Sequence, residues 1–188
     1  TFESHQYQVW YQPIYSVKEN KFGYMEALSR LNGTELGDIS PAEFVQVAET
    51  KGLIEKLGQV AFEKICKFIA DNRNLVNAVS VNFSVYQMTN PNIVDLVLKT
   101  IAKFGLNPNN IIMEITESIF IDNYELVYKN MVELANAGVK FYLDDFGTGY
   151  SNLANVVKLP FSTVKMDRSL VLAMEESAKN VTLFRNLV

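Results

Sequence analysis

Apolar positions crowd the stretch YQVWYQPIYSV, rich in aromatic and β-branched residues, and again FGYMEALSRL, which predicts two strands joined through the polar turn KENKFG as a hairpin. The next stretch, LNGTELGDISP with Gly33 and Gly37, predicts a loop. Ser40 then stands as an N-cap, Pro41 as the first helical residue and Glu43 as the third, the pattern of a capping box. The helix PAEFVQVAETK stops at Gly52. A second helix, from about Ile54 to Asn72, carries Leu57, Val60, Ala61, Ile65, Phe68 and Ile69 on one face.

From there strand and helix patterns take turns. AVSVNFS reads as a strand, PNIVDLVLKTIAKFG as a helix closed by Gly105, IIMEIT as a strand and YELVYKNMVELANAG as a helix closed by Gly138. VKFYLDD is a strand, SNLANVV a short helix, FSTVKMD a strand, and SLVLAMEESAKNVTLFRNLV begins a final helical region. Such alternation predicts an α/β fold with a parallel sheet, and its run of units fits a TIM-like (β/α) barrel whose first strand is antiparallel. Six strands are counted, whereas a complete barrel has eight strands and about 250 residues. The expectation is therefore a single domain over residues 1–188, truncated before the seventh barrel strand, with the last two strands absent from this chain.

Polar residues interrupt the strand patterns at their ends. Glu26 in YMEALSRL, Asn82 in VSVNFS, Glu114 in IIMEITES and the adjacent Asp144 and Asp145 in FYLDDFGTGYS all follow or end an apolar run. Lys165 in TVKMD ends the next. Hard oxygen donors at the ends of four successive strands would converge on one rim of a barrel, where they suit divalent cations, and no Cys or His cluster points to zinc. Two adjacent acids repel each other, so holding Asp144 and Asp145 close to Glu114 calls for a neutralising cation.

Composition narrows the classes. An apolar fraction of 48% with 20% charged residues is that of a globular protein with a full core. The net charge of −4 and the lack of any Lys/Arg block argue against binding a DNA or RNA polymer. A phosphate substrate remains open, because cations held by the acids supply positive charge locally. Cys66 has no disulfide partner and falls inside the apolar pattern VAFEKICKFIA, which predicts an inert buried thiol. No apolar run is long enough to cross a bilayer and the N-terminus lacks a signal-peptide layout, so a cytoplasmic setting is expected, with any membrane anchor of the parent protein lying outside this chain.

Seven segments, YQPI, MEALSRL, SPAEFVQVAETKGLI, VNFS, MEITES, LDDFGTGYSN and VKMDRS, occur in one order from Tyr11 to Ser169. Together they resemble the EAL domain family of bacterial cyclic di-GMP phosphodiesterases, enzymes of second-messenger signalling. The resemblance implies hydrolysis of one phosphodiester bond of cyclic di-GMP to linear pGpG with Mg²⁺ or Mn²⁺, two ions in the complete domain. It implies that Glu26, Asn82, Glu114 and Asp144 hold the first ion, and that Asp144 bridges to a second ion also held by Asp145. Glu26, Asp145 and Lys165 take catalytic parts, Lys165 by orienting or helping to deprotonate the attacking water or by pairing with the phosphate. Gln12, Leu28 and Arg30 are implied to line the substrate, Arg30 through a guanidinium fork on a phosphate. A salt bridge to a neighbouring acid is the alternative for Arg30. Glu117 resembles the residue that anchors the loop FGTGYSN.

The chain departs from the family at Ser29, where leucine is usual, at Leu31, where tryptophan is frequent, and at Gly33-Thr34, where His-Pro is frequent. The family's glutamate at the end of the seventh strand and glutamine on the eighth have no counterpart before Val188. The resemblance further implies an upstream sensory or GGDEF domain in the parent protein and a homodimer through the helices after strands five and six. Two other functions stay open: a receptor that binds cyclic di-GMP without cleaving it, and a scaffold that acts through protein contacts.

Overall fold

The computed structural model describes residues 6–35, 37–116, 124–147, 158–176 and 182. Strand β1 (Tyr7–Ser16) turns back into β2 (Lys21–Thr34), and a short β3 (Gly37–Ile39) folds against the end of β2. Then come α1 (Pro41–Thr50), α2 (Ile54–Asp71), β4 (Ala78–Asn82), α3 (Val85–Met88), α4 (Ile93–Lys103), a 3₁₀ turn at Pro108–Asn110, β5 (Ile111–Thr116), α5 (Tyr124–Ala137), β6 (Lys140–Phe146), β7 (Phe161–Met166) and α6 (Arg168–Glu176). The sheet runs β1-β2-β4-β5-β6-β7, with β3 beside β2 and off that path. β1 pairs antiparallel with β2, and every later neighbour along the path is parallel. This is the expected TIM-like arrangement, with a mostly parallel sheet that does not close among the described residues.

Parity along each strand divides the molecule. In β4 and β5, Val79, Val81, Ile111, Met113 and Ile115 point one way and join the main hydrophobic cluster with the apolar faces of α2, α4 and α5. Ser80, Asn82, Ile112 and Glu114 alternate with them and therefore point to the other face, the inside of the barrel wall. A second, smaller cluster packs Tyr7 of β1 against Phe44 and Ala48 of α1 and Leu57 of α2. The two clusters fix the helices on the outside and leave the inner face free for polar residues.

The capping box at α1 forms as predicted: the Ser40 hydroxyl accepts from the Glu43 N–H (3.4 Å) and Glu43 Oε2 accepts from the Ser40 N–H (3.2 Å). Gly52, Gly105 and Gly138 all take positive φ (65°, 60° and 109°) directly beyond their helices, the left-handed exit that glycine allows. One expectation needs correction, and two short helical turns are added to the predicted elements. The stretch 31–39 is not a plain loop, since β2 continues to Thr34 and β3 returns alongside it, pairing Leu31 with Ile39 and Thr34 with Gly37. A three-residue strand is too short to show a period, so the sequence pattern did not reveal it. The helical turns Val85–Met88 and Pro108–Asn110 escape notice for the same reason. The segment SNLANVV lies outside the described residues, as does most of the chain beyond α6.

Among the described residues no helix is long and apolar enough to cross a membrane. Cys66 is fully buried on α2, and burial pushes its thiol pKa up to about 12. A thiolate is therefore scarce at neutral pH, and reagent cannot reach it. The native protein is expected to leave Cys66 unmodified by a disulfide reagent at pH 8 and to react at this position only after denaturant is added. Rapid labelling of Cys66 in native buffer would contradict this burial.

Candidate metal centre

The inner-face residues rise across the sheet in a staircase. Glu26 on β2 is level with Ser80 on β4; two residues further on, Asn82 is level with Glu114 on β5; two further again, Thr116 is level with Asp144 on β6. This stagger is the shear of a barrel wall, and it brings side chains from separate strands to one mouth. Carboxylate oxygens of Glu26, Glu114 and Asp144 all lie within 4.8 Å of one another. Lys165, from β7, sends its ammonium among them: Nζ is 2.6 Å from Glu114 Oε2, 3.1 Å from Asp144 Oδ1 and 3.4 Å from Glu26 Oε2.

The electrostatics follow from that placement. The Glu114 side chain is fully shielded from solvent, and burial raises its pKa above the usual carboxylate range against the opposing pull of Lys165. One of its oxygens, Oε1, is buried and has no hydrogen-bond partner among the described residues. Burial alone would lower the Lys165 pKa, but its hydrogen bond to Glu114 and the charges of Glu114 and Asp144 outweigh that and raise it, so the ammonium stays charged. A cluster with three carboxylates, one unpartnered buried oxygen and a cation already drawn into its middle fits a hard divalent ion. Every donor atom in it is oxygen.

Asp144 and Asp145 are neighbours in sequence, and in a regular strand they would point to opposite faces. The register shows why they need not. Between the pairs Leu143–Val164 and Phe146–Met166, β6 spends three steps where β7 spends two, so one extra residue is accommodated as a bulge. Asp145 takes the left-handed conformation, φ 54°, within that bulge. Aspartate tolerates this conformation better than most residues, and a bulge re-aims side chains. Asp145 accordingly lines the cleft at the mouth together with Asn82, Thr116 and Leu28, a space of about 1000 Å³. Its pKa is raised, first by burial and then by the charges of Asp144 and Asp167.

The remaining expected residues are spread around this centre. Asn82 is exposed at the end of β4, level with Glu114. Gln12 is the cross-strand partner of Glu26 on β1 and so shares its face. Arg30 lies four residues beyond Glu26 on β2. It makes no ion pair among the described residues; its guanidinium sits 5.4 Å from the centroid of the Trp10 ring, and Nη1 donates to Ser29 O (2.9 Å). Glu117 lies outside the described residues. Trp10 and Thr116 were not singled out from sequence, although the alternation of β1 already put Trp10 on the face of Gln12. Asp167 accepts from the Ser169 N–H (2.8 Å) at the start of α6, which is a capping role.

A family model described as the EAL domain matches residues 1–188. The chain is 36% identical over 163 residues to an uncharacterized signaling protein of Caulobacter vibrioides, covering 87% of this chain and 20% of that protein. It is 29% identical over 189 residues to the bifunctional diguanylate cyclase/cyclic di-GMP phosphodiesterase MucR of Pseudomonas aeruginosa, covering 99% and 28% respectively. Among solved structures, the PaMucR phosphodiesterase in complex with c-di-GMP aligns with a TM-score of 0.84 at 28% identity, over 95% of this chain and 73% of that one. The chain spans between a fifth (20%) and a little over a quarter (28%) of these two curated relatives.

Proposed function

The chain belongs to the EAL domain family, and from that premise we propose that it is the catalytic domain of a metal-dependent phosphodiesterase that opens cyclic di-GMP to linear pGpG. The observation that carries the reading is the carboxylate cluster of Glu26, Glu114 and Asp144 with the unpartnered, buried Glu114 Oε1 at its base. Leaving a buried acceptor unpaired is costly, so the arrangement is supported by a ligand it was shaped to hold. Glu26, Asn82, Glu114 and Asp144 would hold one Mg²⁺ or Mn²⁺, and Asp144 with Asp145 a second, which would supply positive charge to the attacked phosphate and lower the pKa of water.

The chain's own groups have separate tasks. Arg30 offers a planar fork, free of acidic partners among the described residues, to a substrate phosphate. Gln12 and Leu28 flank Glu26 on the same wall and line the substrate. Lys165 keeps its proton at Nζ, so it donates a hydrogen bond to the attacking water or the phosphate and does not serve as the base. Taking up a proton from the water then falls to a carboxylate, and Asp145, which lines the cleft, is placed for it.

Incubation of the protein containing this domain with cyclic di-GMP and Mn²⁺, followed by separation of the nucleotides, is expected to yield pGpG. Cyclic di-GMP that is retained but intact would mean a receptor, and no binding at all would mean a scaffold; either result overturns the proposal.

A further inference from the structure

Gly58 occupies the interior of α2, an eighteen-residue helix, although glycine is among the poorest helix formers. The reason for it lies across the helix surface. A Cβ built on Gly58 would collide with Gln87 Nε2 and lie 3.1 Å from Gln87 Cδ. Gln87 belongs to α3, the single turn that begins three residues after Asn82. Its side chain is 7% exposed, and its Oε1 accepts from the Ser84 N–H (2.9 Å) in a reciprocal cap whose other half is the Gln87 N–H donating to Ser84 Oγ (3.4 Å). The carboxamide therefore cannot swing aside without giving up that cap. From the opposite side Asn130 of α5, 2% exposed, donates from Nδ2 to Met88 O (2.9 Å) and Asn90 O (3.2 Å).

We propose that Gly58, Gln87 and Asn130 are positioning residues for the cation site, clamping α3 between two helices and thereby fixing Asn82 at the height of Glu114. Only Phe83 separates Asn82 from Ser84, the N-cap of the clamped turn, and the Phe83 N–H donates to Glu114 O (2.9 Å), so a displacement of Ser84 is passed directly to the Asn82–Glu114 rung. The inference rests on reading Asn82 as a cation ligand, and groups that orient a ligand matter to metal affinity nearly as much as the ligand itself.

The test is a double-mutant cycle on the full-length protein, with Mn²⁺ affinity read from the electron paramagnetic resonance signal of free Mn²⁺. Gly58→Ala is expected to weaken Mn²⁺ binding about 10-fold in a protein that still melts cooperatively above the assay temperature. In a Gln87→Ala background the same change is expected to alter affinity by less than about 2-fold, because the group it collides with is gone. Equal losses in both backgrounds, or no loss from Gly58→Ala alone, overturn the proposal. Should Gly58→Ala not fold, Gln87→Met, similar in length but unable to accept from Ser84 N–H, is expected to show the 10-fold loss, and unchanged affinity there overturns it. An unmodified protein that binds Mn²⁺ and obeys the cycle but leaves cyclic di-GMP intact refutes only the phosphodiesterase reading; one that binds no Mn²⁺ refutes both.

Discussion

Asp144→Ala is expected to abolish hydrolysis of cyclic di-GMP, lowering kcat/KM more than about 10³-fold, or roughly 4 kcal/mol of transition-state stabilisation. The size follows from position. Asp144 is the residue at which the carboxylate cluster meets the bulge, contacting Lys165 at 3.1 Å while leading into Asp145. On the proposed function its loss would remove a shared ligand, and with it a countercharge of Lys165, in one step. The measurement is steady-state turnover at saturating Mn²⁺ in the full-length protein. Activity within a few-fold of the unmodified protein would refute the assignment of this cluster to catalysis.

Lys165→Met is expected to separate chemistry from metal binding. Turnover at saturating Mn²⁺ should fall about 10²- to 10³-fold, the usual worth of a positioned proton-carrying group. Mn²⁺ affinity should hold or rise, because the ammonium no longer competes for the three carboxylates. The same change has an opposite effect on the metal-free fold. Glu114 is shielded completely and would lose its closest countercharge, at 2.6 Å. Breaking a buried pair from one side costs about 3–5 kcal/mol, and the lower end applies here because Lys165 is partly open to solvent. The variant should thus melt well below the unmodified protein in chelator and recover when Mn²⁺ is added, by mass action. A melting temperature in chelator equal to that of the unmodified protein, or a parallel loss of Mn²⁺ affinity, would contradict the role given to Lys165.

Much of this architecture was legible in the sequence because it is written in periods. The apolar runs of β4 and β5, three-to-four spacing along α2 and the glycines closing α1, α4 and α5 each report a local preference that packing did not override. The centre was legible for a related reason: an acid inside IIMEIT contradicts its apolar surroundings, and only a partner explains it. Features set by contact between distant segments were not. Nothing local marks β3, whose three residues exist as a strand only because β2 offers them an edge. The bulge was equally silent, since the letters Asp144-Asp145 do not say that the second will turn left-handed. Nothing in the sequence of α2 accounts for Gly58, whose reason is Gln87 of α3 packed against it. Arg30 was expected beside a phosphate or an acid, and its resting partner is an indole that no spacing rule would nominate.

The staircase of inner-face residues has a consequence for assembly. Each rung depends on its neighbour strand by a step of two, and a slip of a single residue in β5 would turn Glu114 outward among the helices and bring Met113 or Ile115 to the mouth. An ion held by Glu26, Glu114 and Asp144 would therefore proofread the alignment of three separate strands at once, rewarding only the chain that has threaded every one of them correctly.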